Sequence, residues 1–231
     1  MTTVLLVRHG LTDANTSGVL AGWTPGVHLA EKGGEQVTAL AERLAALRVA
    51  AIVSSPLERC QETAAAIAAG RDSLTVELDD RLGECRYGDW EGQPLKTLAK
   101  DPLWKVVQAH PSAARFPGGE ALRETQARAV EAIRAHNASL GDDATWIAVS
   151  HGDVIKAILA DALGMHLDAF QRIQVDPASV SVVRYTELRP FVVRMNDKGG
   201  SISDLLPPKK RSRRRKASSD AAVGGGAGTA T

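Results

Sequence analysis

Two histidines and two arginines of this chain stand where short apolar runs end. Val4-Leu5-Leu6-Val7 leads into Arg8-His9-Gly10, and Trp146-Ile147-Ala148-Val149 leads into Ser150-His151-Gly152-Asp153. Ala51-Ile52-Val53 leads into Ser54-Ser55-Pro56, with Arg59 one helical turn further on. Glu84 closes the loop Arg81-Leu82-Gly83-Glu84 after a third apolar run, residues 74–78. Phosphoryl transfer requires these residue types. A neutral imidazole can attack phosphorus and carry the group covalently. Arginine forks match the equatorial oxygens of a phosphoryl group. A carboxylic acid can protonate the leaving alkoxide and then, as a base, accept a proton from water. The helix start at Gly152 adds backbone donors and a dipole that favours an anion.

The runs that carry these groups are short and rich in β-branched residues, so they read as buried strands. Between them lie helical patterns. Val37, Leu40, Ala41, Leu44 and Leu47 share one face of a helix over 31–47. Pro56 suits the first turn of a helix running to Ala69. Short helical pieces surround Leu98 and Trp104, and a long helix spans 119–140. Residues 180–185 and 191–194 read as a hairpin around Pro190. Strands alternating with helices predict an α/β fold, a three-layer α/β/α sandwich with a mostly parallel central sheet and a closing antiparallel element. Catalytic groups in such sheets gather at the carboxyl ends of the strands, so all five would converge on one rim.

Composition agrees with a folded core: 44% of residues are apolar. No uninterrupted apolar stretch reaches membrane-spanning length, and Met1-Thr2-Thr3 lacks the layout of a secretion signal. Cys60 and Cys85 are the two cysteines, without metal-ligand spacing. They read as reduced thiols of a cytoplasmic protein, their pairing left open by sequence. Neither a metal nor another cofactor is called for. The formal charge of +1 hides an asymmetry. Residues 197–231 hold eight Lys/Arg against three Asp, so residues 1–196 are mildly acidic. The expected division is a catalytic domain over 1–196 and a disordered basic and Gly/Ala-rich tail over 197–231. The run at 209–216 is a candidate for weak nucleic-acid or anionic-surface contact, against the plainer reading of a solubilising tail.

The chain resembles the histidine phosphatase, or phosphoglycerate mutase-like, superfamily. The matching segments are Arg8-His9-Gly10 with Asn15, Gly22-Trp23-Thr24, Ser54 through Ala64, Glu84 through Gly92, Phe116 through Glu120, and Ser150-His151-Gly152. They follow the family's order across roughly residues 2–185. Residues 104–114 and 164–185 look like an actinobacterial-type subgroup. The resemblance implies that His9 is the nucleophile and His151 the second histidine. Arg8 and Arg59 would clamp the phosphoryl group, Asn15 and Gly22 would lie near it, and Glu84 would donate the proton. It also implies an α/β/α fold, no metal, and members that are often dimers or tetramers; a homodimer is one expectation, with the oligomeric state left open. Trp23, Arg86, Trp104 and Phe116 either line a substrate pocket or simply pack, and Glu120 either caps the long helix or reaches the site.

The leading reading is a metal-independent phosphomonoester hydrolase acting on a phosphorylated small molecule. The alternative is a phosphoglycerate mutase. The stretch from Glu84 to Glu120 is short, and Gly88-Asp89-Trp90-Glu91-Gly92 looks like the phosphatase branch, whereas mutases usually carry a longer insertion. A reading of another class is a basic-tailed nucleic-acid-binding or scaffold protein with a relic site.

Overall fold

The computed structural model describes residues 1–71 and 74–200, together with Gly224 and Gly226. In chain order the elements are β1 (Thr2–Arg8), α1 (Asp13–Ser17), α2 (Glu31–Leu44), β2 (Ile52–Ser54), α3 (Glu58–Ala68) and β3 (Val76–Leu78). They continue with α4 (Leu95–Leu98), α5 (Pro102–Ala109), α6 (Leu122–Leu140), β4 (Thr145–Ser150), α7 (Gly152–Ala162), β5 (Val180–Tyr185) and β6 (Pro190–Asp197).

The six strands form one sheet in the order β3-β2-β4-β1-β5-β6. The first four strands run parallel, and β5 and β6 join antiparallel. Successive strand side chains face opposite ways, and here both faces are covered. Val4, Leu6, Val53, Trp146 and Ala148 pack with residues of α6 and α7. Leu5, Val7, Ile52, Ile147 and Val149 pack with residues of α2 and α3. That double burial is why β1 and β4 read as continuous apolar runs. The expected three-layer α/β/α sandwich is the observed architecture.

Several boundaries differ from the sequence reading. α1 falls in a segment expected to be loop; Thr12 and Asn15 cap it reciprocally through side chain and backbone. Pro56 lies outside α3, because Ser55-Pro56-Leu57 stays extended or bent before Glu58. α6 starts at Leu122, since residues 116–120 close a turn in which the Phe116 N–H donates to the Glu120 carbonyl (3.1 Å). The hairpin turns through residues 186–189, and Pro190 opens β6 instead of sitting in the turn. β6 is an edge strand, where a missing N–H costs no ladder bond. It runs one residue past the expected domain boundary at 196. Most of the tail, including the basic run 209–216, lies outside the described residues. Among the described residues no helix is long and apolar enough to cross a membrane.

One close approach fixes the loop after β1. A Cβ on Gly10 would come within 2.8 Å of the Gly33 carbonyl and of Val37 on α2, and one on Gly33 would lie 2.1 Å from the Leu11 carbonyl. Glycine at both positions lets α2 press against the loop that carries His9.

Candidate active site

Register brings the two histidines together. Arg8 pairs with Ser150 across β1 and β4, and the His9 N–H donates to the Ser150 carbonyl (3.1 Å). The rings of His9 and His151 meet edge to face, with centroids 5.2 Å apart. β2 neighbours β4 on its other side, so Ser55 reaches His151. These groups share the carboxyl edge of the sheet.

His9 Nδ1 lies 2.7 Å from the Gly10 carbonyl. A carbonyl oxygen only accepts, so the proton sits on Nδ1 and Nε2 keeps its lone pair. Burial, then the charges of Arg59 and Arg8, hold His9 well below the ordinary histidine pKa. The ring is therefore neutral and nucleophilic near neutral pH. His151 is held low as well, by burial first and then by Arg59. Arg59 Nη2 faces its Nδ1 at 3.3 Å, and Ser55 Oγ faces its Nε2 at 2.8 Å. Arginine only donates, so Nδ1 accepts and Nε2–H donates to Ser55, which also accepts from the Leu57 N–H.

Both arginines are almost fully buried. Arg59 Nη2 donates to the Gly22 carbonyl (2.9 Å), while Nη1 has no hydrogen-bond partner among the described residues. A buried guanidinium donor left in that state costs free energy until an acceptor arrives. Arg8 Nη1 donates to the Val175 carbonyl (2.8 Å), and burial lowers Arg8 to about 10, still cationic.

Glu84 is buried too. Desolvation, reinforced by the negative charge of Asp153, pushes its carboxyl up to about 7. Its Oε1 accepts from the Cys85 N–H (3.0 Å), and its Oε2 is 3.9 Å from His151 Nδ1. The loop carrying it is pinned from outside. Arg128 on α6 donates to the carbonyls of Arg81, Gly83 and Glu84 (2.7–2.9 Å) and pairs with Glu120. Trp23 Nε1–H donates to the Glu84 carbonyl (2.6 Å).

His9, Asn15, Gly22, Arg59 and Glu84 line one cleft, with Thr12 and Leu20 in its wall. Arg8, His151 and Gly152 stand behind this lining, all buried. Asn15 both caps α1 and lines the cleft. Gly22 offers its carbonyl to Arg59, so it orients the guanidinium. Glu120 caps no helix; it anchors Arg128 and the Arg86 N–H. Trp104 and Phe116 are buried with Trp90 in an aromatic cluster, so of their two readings packing is the one observed. Trp23 stays half-buried beneath the Arg86 guanidinium, 3.8 Å from the ring centre. Cys60 and Cys85 are free and buried, and burial pushes the Cys60 thiol up to about 12. Ser55, Arg128 and Asp153 are the positioning groups the sequence reading missed. Ser55 sat inside a quoted motif, but Arg128 carried no local signal, looking like any helix-surface cation.

A family model described as the histidine phosphatase superfamily (branch 1) matches residues 4–198. The chain is a member of the histidine phosphatase superfamily. It is 34% identical over 190 residues to a probable phosphoglycerate mutase, GpmB, of Cronobacter sakazakii, covering 81% of this chain and 86% of that protein. It is 30% identical over 202 residues to phosphoserine phosphatase 1 of Hydrogenobacter thermophilus, covering 85% and 92%. Among solved structures, Bacillus stearothermophilus YhfR superposes with a TM-score of 0.79 at 30% identity, covering 85% of this chain and 98% of that one. The YhfR structure shares the fold described above.

Proposed function

We propose that this protein hydrolyses phosphomonoesters of small molecules through a covalent phosphohistidine on His9. The observation that carries the reading is the state of His9: buried, neutral, with Nε2 unprotonated, beside two buried arginines. His9 Nε2 attacks phosphorus, a P–N bond forms, and the ester P–O bond breaks. Glu84 gives its proton to the departing alkoxide. Water then attacks the phosphohistidine, Glu84 takes a proton from it, and the P–N bond breaks to release phosphate. A carboxyl near 7 suits both halves of this cycle. Arg8 and Arg59 balance the charge on the phosphoryl oxygens, Asn15 lies beside them, and no metal is required. His151, held by Arg59 and Ser55, would help to place the transferring phosphoryl group.

The relative named as a probable phosphoglycerate mutase favours a second reading, in which the phosphohistidine returns its group to another hydroxyl. The short stretch between Glu84 and Glu120 and the relative named phosphoserine phosphatase support hydrolysis. The test is phosphate release from a panel of phosphomonoesters in chelator, wild type beside His9→Ala, with 3-phosphoglycerate isomerisation assayed in parallel. Release by the wild type alone supports the hydrolase; isomerisation without release supports the mutase; release by His9→Ala overturns both.

A further inference from the structure

The cleft that holds His9 and Arg59 is also lined by Gly224 and Gly226, from the far end of the chain. The Gly224 N–H donates to Asp153 Oδ2 (2.8 Å). Arg8 Nη2 donates to the Gly226 carbonyl (2.6 Å) and lies 3.5 Å from the Gly224 carbonyl. Asp153 is almost fully buried, and its carboxylate also accepts from Tyr87 Oη–H (3.1 Å) and faces Lys156 Nζ (3.3 Å). At the base of the cleft, behind its lining, an anionic acceptor (Asp153) and a cationic donor (Arg8) thus meet the same stretch of chain. A short length of main chain, here the Gly224 N–H and the Gly226 C=O, satisfies both. A phosphate monoester, rich in acceptors, satisfies Arg8 and gains nothing from Asp153.

Residue choice fits the contact. Gly224 has φ +73° and Gly226 φ +50°, both in the left-handed region. A Cβ on Gly224 would lie 3.0 Å from Leu20 Cδ1 and 3.8 Å from the Tyr87 hydroxyl.

We propose that Arg8 and Asp153, at the base of the cleft, form a main-chain binding site, that its occupants are this chain's own Gly224 and Gly226, and that they compete with phosphate for Arg8. The competition, though not the docking, rests on the hydrolase reading. Arg8 Nη2 cannot give its full donor strength to Gly226 and to a phosphoryl oxygen at once. A dianion is the stronger acceptor, but a tethered segment acts at an effective concentration on the order of millimolar. Substrate then pays a population tax, and KM exceeds that of the uncovered site.

The test uses the full chain and Gly224→Val, whose branched side chain meets Leu20 and resists positive φ. Amide hydrogen exchange over 220–231 reads docking without turnover. Protection in the wild type, lost in Gly224→Val and on adding inorganic phosphate, is expected. The variant should lower KM for p-nitrophenyl phosphate by roughly threefold or more at unchanged kcat. A free peptide of residues 220–231 should restore the wild-type KM competitively. Unprotected wild-type amides overturn the site. Protection that persists in saturating phosphate, or a KM unchanged or raised in the variant, overturns the competition. Protection without any turnover in the phosphomonoester panel faults the hydrolase reading alone.

Discussion

Glu84→Gln is expected to stabilise the protein at pH 8 and to leave its stability unchanged below pH 4.5. Glu84 is buried, and its carboxyl is raised from an ordinary 4.5 to about 7, by desolvation first and by Asp153 second. Between those two values the folded state holds a proton that the unfolded state has released. Stability contributed by the protonated group is thus complete below 4.5 and lost as pH rises through about 7. The difference corresponds to about 3 kcal/mol once both states are ionised. Glutamine keeps an oxygen for the Cys85 N–H that Glu84 Oε1 now accepts, and it never ionises. For a chain of this size that is roughly 6–12 °C in melting temperature. The assay is urea or thermal unfolding of both proteins at pH 4 and pH 8, with fluorescence of the buried tryptophans as probe. A gap that opens as pH rises supports the reasoning. The same gap at both pH values, or none at either, would refute it, because the buried carboxyl would then not be the source.

The same proton sets the activity profile: kcat/KM for alkyl phosphates should be level below about 7 and fall above it, since Glu84 must be protonated to donate and His9 already titrates well below 6.5. Glu84→Gln should slow alkyl phosphates far more than aryl phosphates, whose leaving groups need no proton; equal losses would remove Glu84 from that role. Arg59→Lys loses the fork that spans Gly22, His151 and the cleft, so kcat/KM should drop by roughly 10- to 100-fold; a loss under twofold would deny Arg59 a phosphate contact. Leu6→Ala, in the fully buried centre of β1, should destabilise by about 2–5 kcal/mol in denaturant titration while leaving KM unchanged.

The layers and the chemistry available follow from local patterns in the chain. Unbroken apolar runs such as Val4–Val7 can be buried on both sides only in a sheet covered by helices, and that is local information. Arg8, His9, Arg59, Glu84 and His151 were legible as candidates because each stands at a strand's end, in the first turn of a helix or in the loop after a strand. Helix ends were less legible: α1, five polar residues long, has no apolar period, and its one signal is the Thr12–Asn15 cap. How the groups behave together follows from packing in three dimensions. Neutral histidines and a carboxyl near 7 come from burial and from charges supplied by other elements, such as Asp153 on α7 and Arg59 on α3. Ser55 reaches across 96 residues to hold His151, and Arg128 clamps the Glu84 loop from α6. Desolvation and Coulomb energy depend on distance in space, which strand order and register set and which no local pattern encodes.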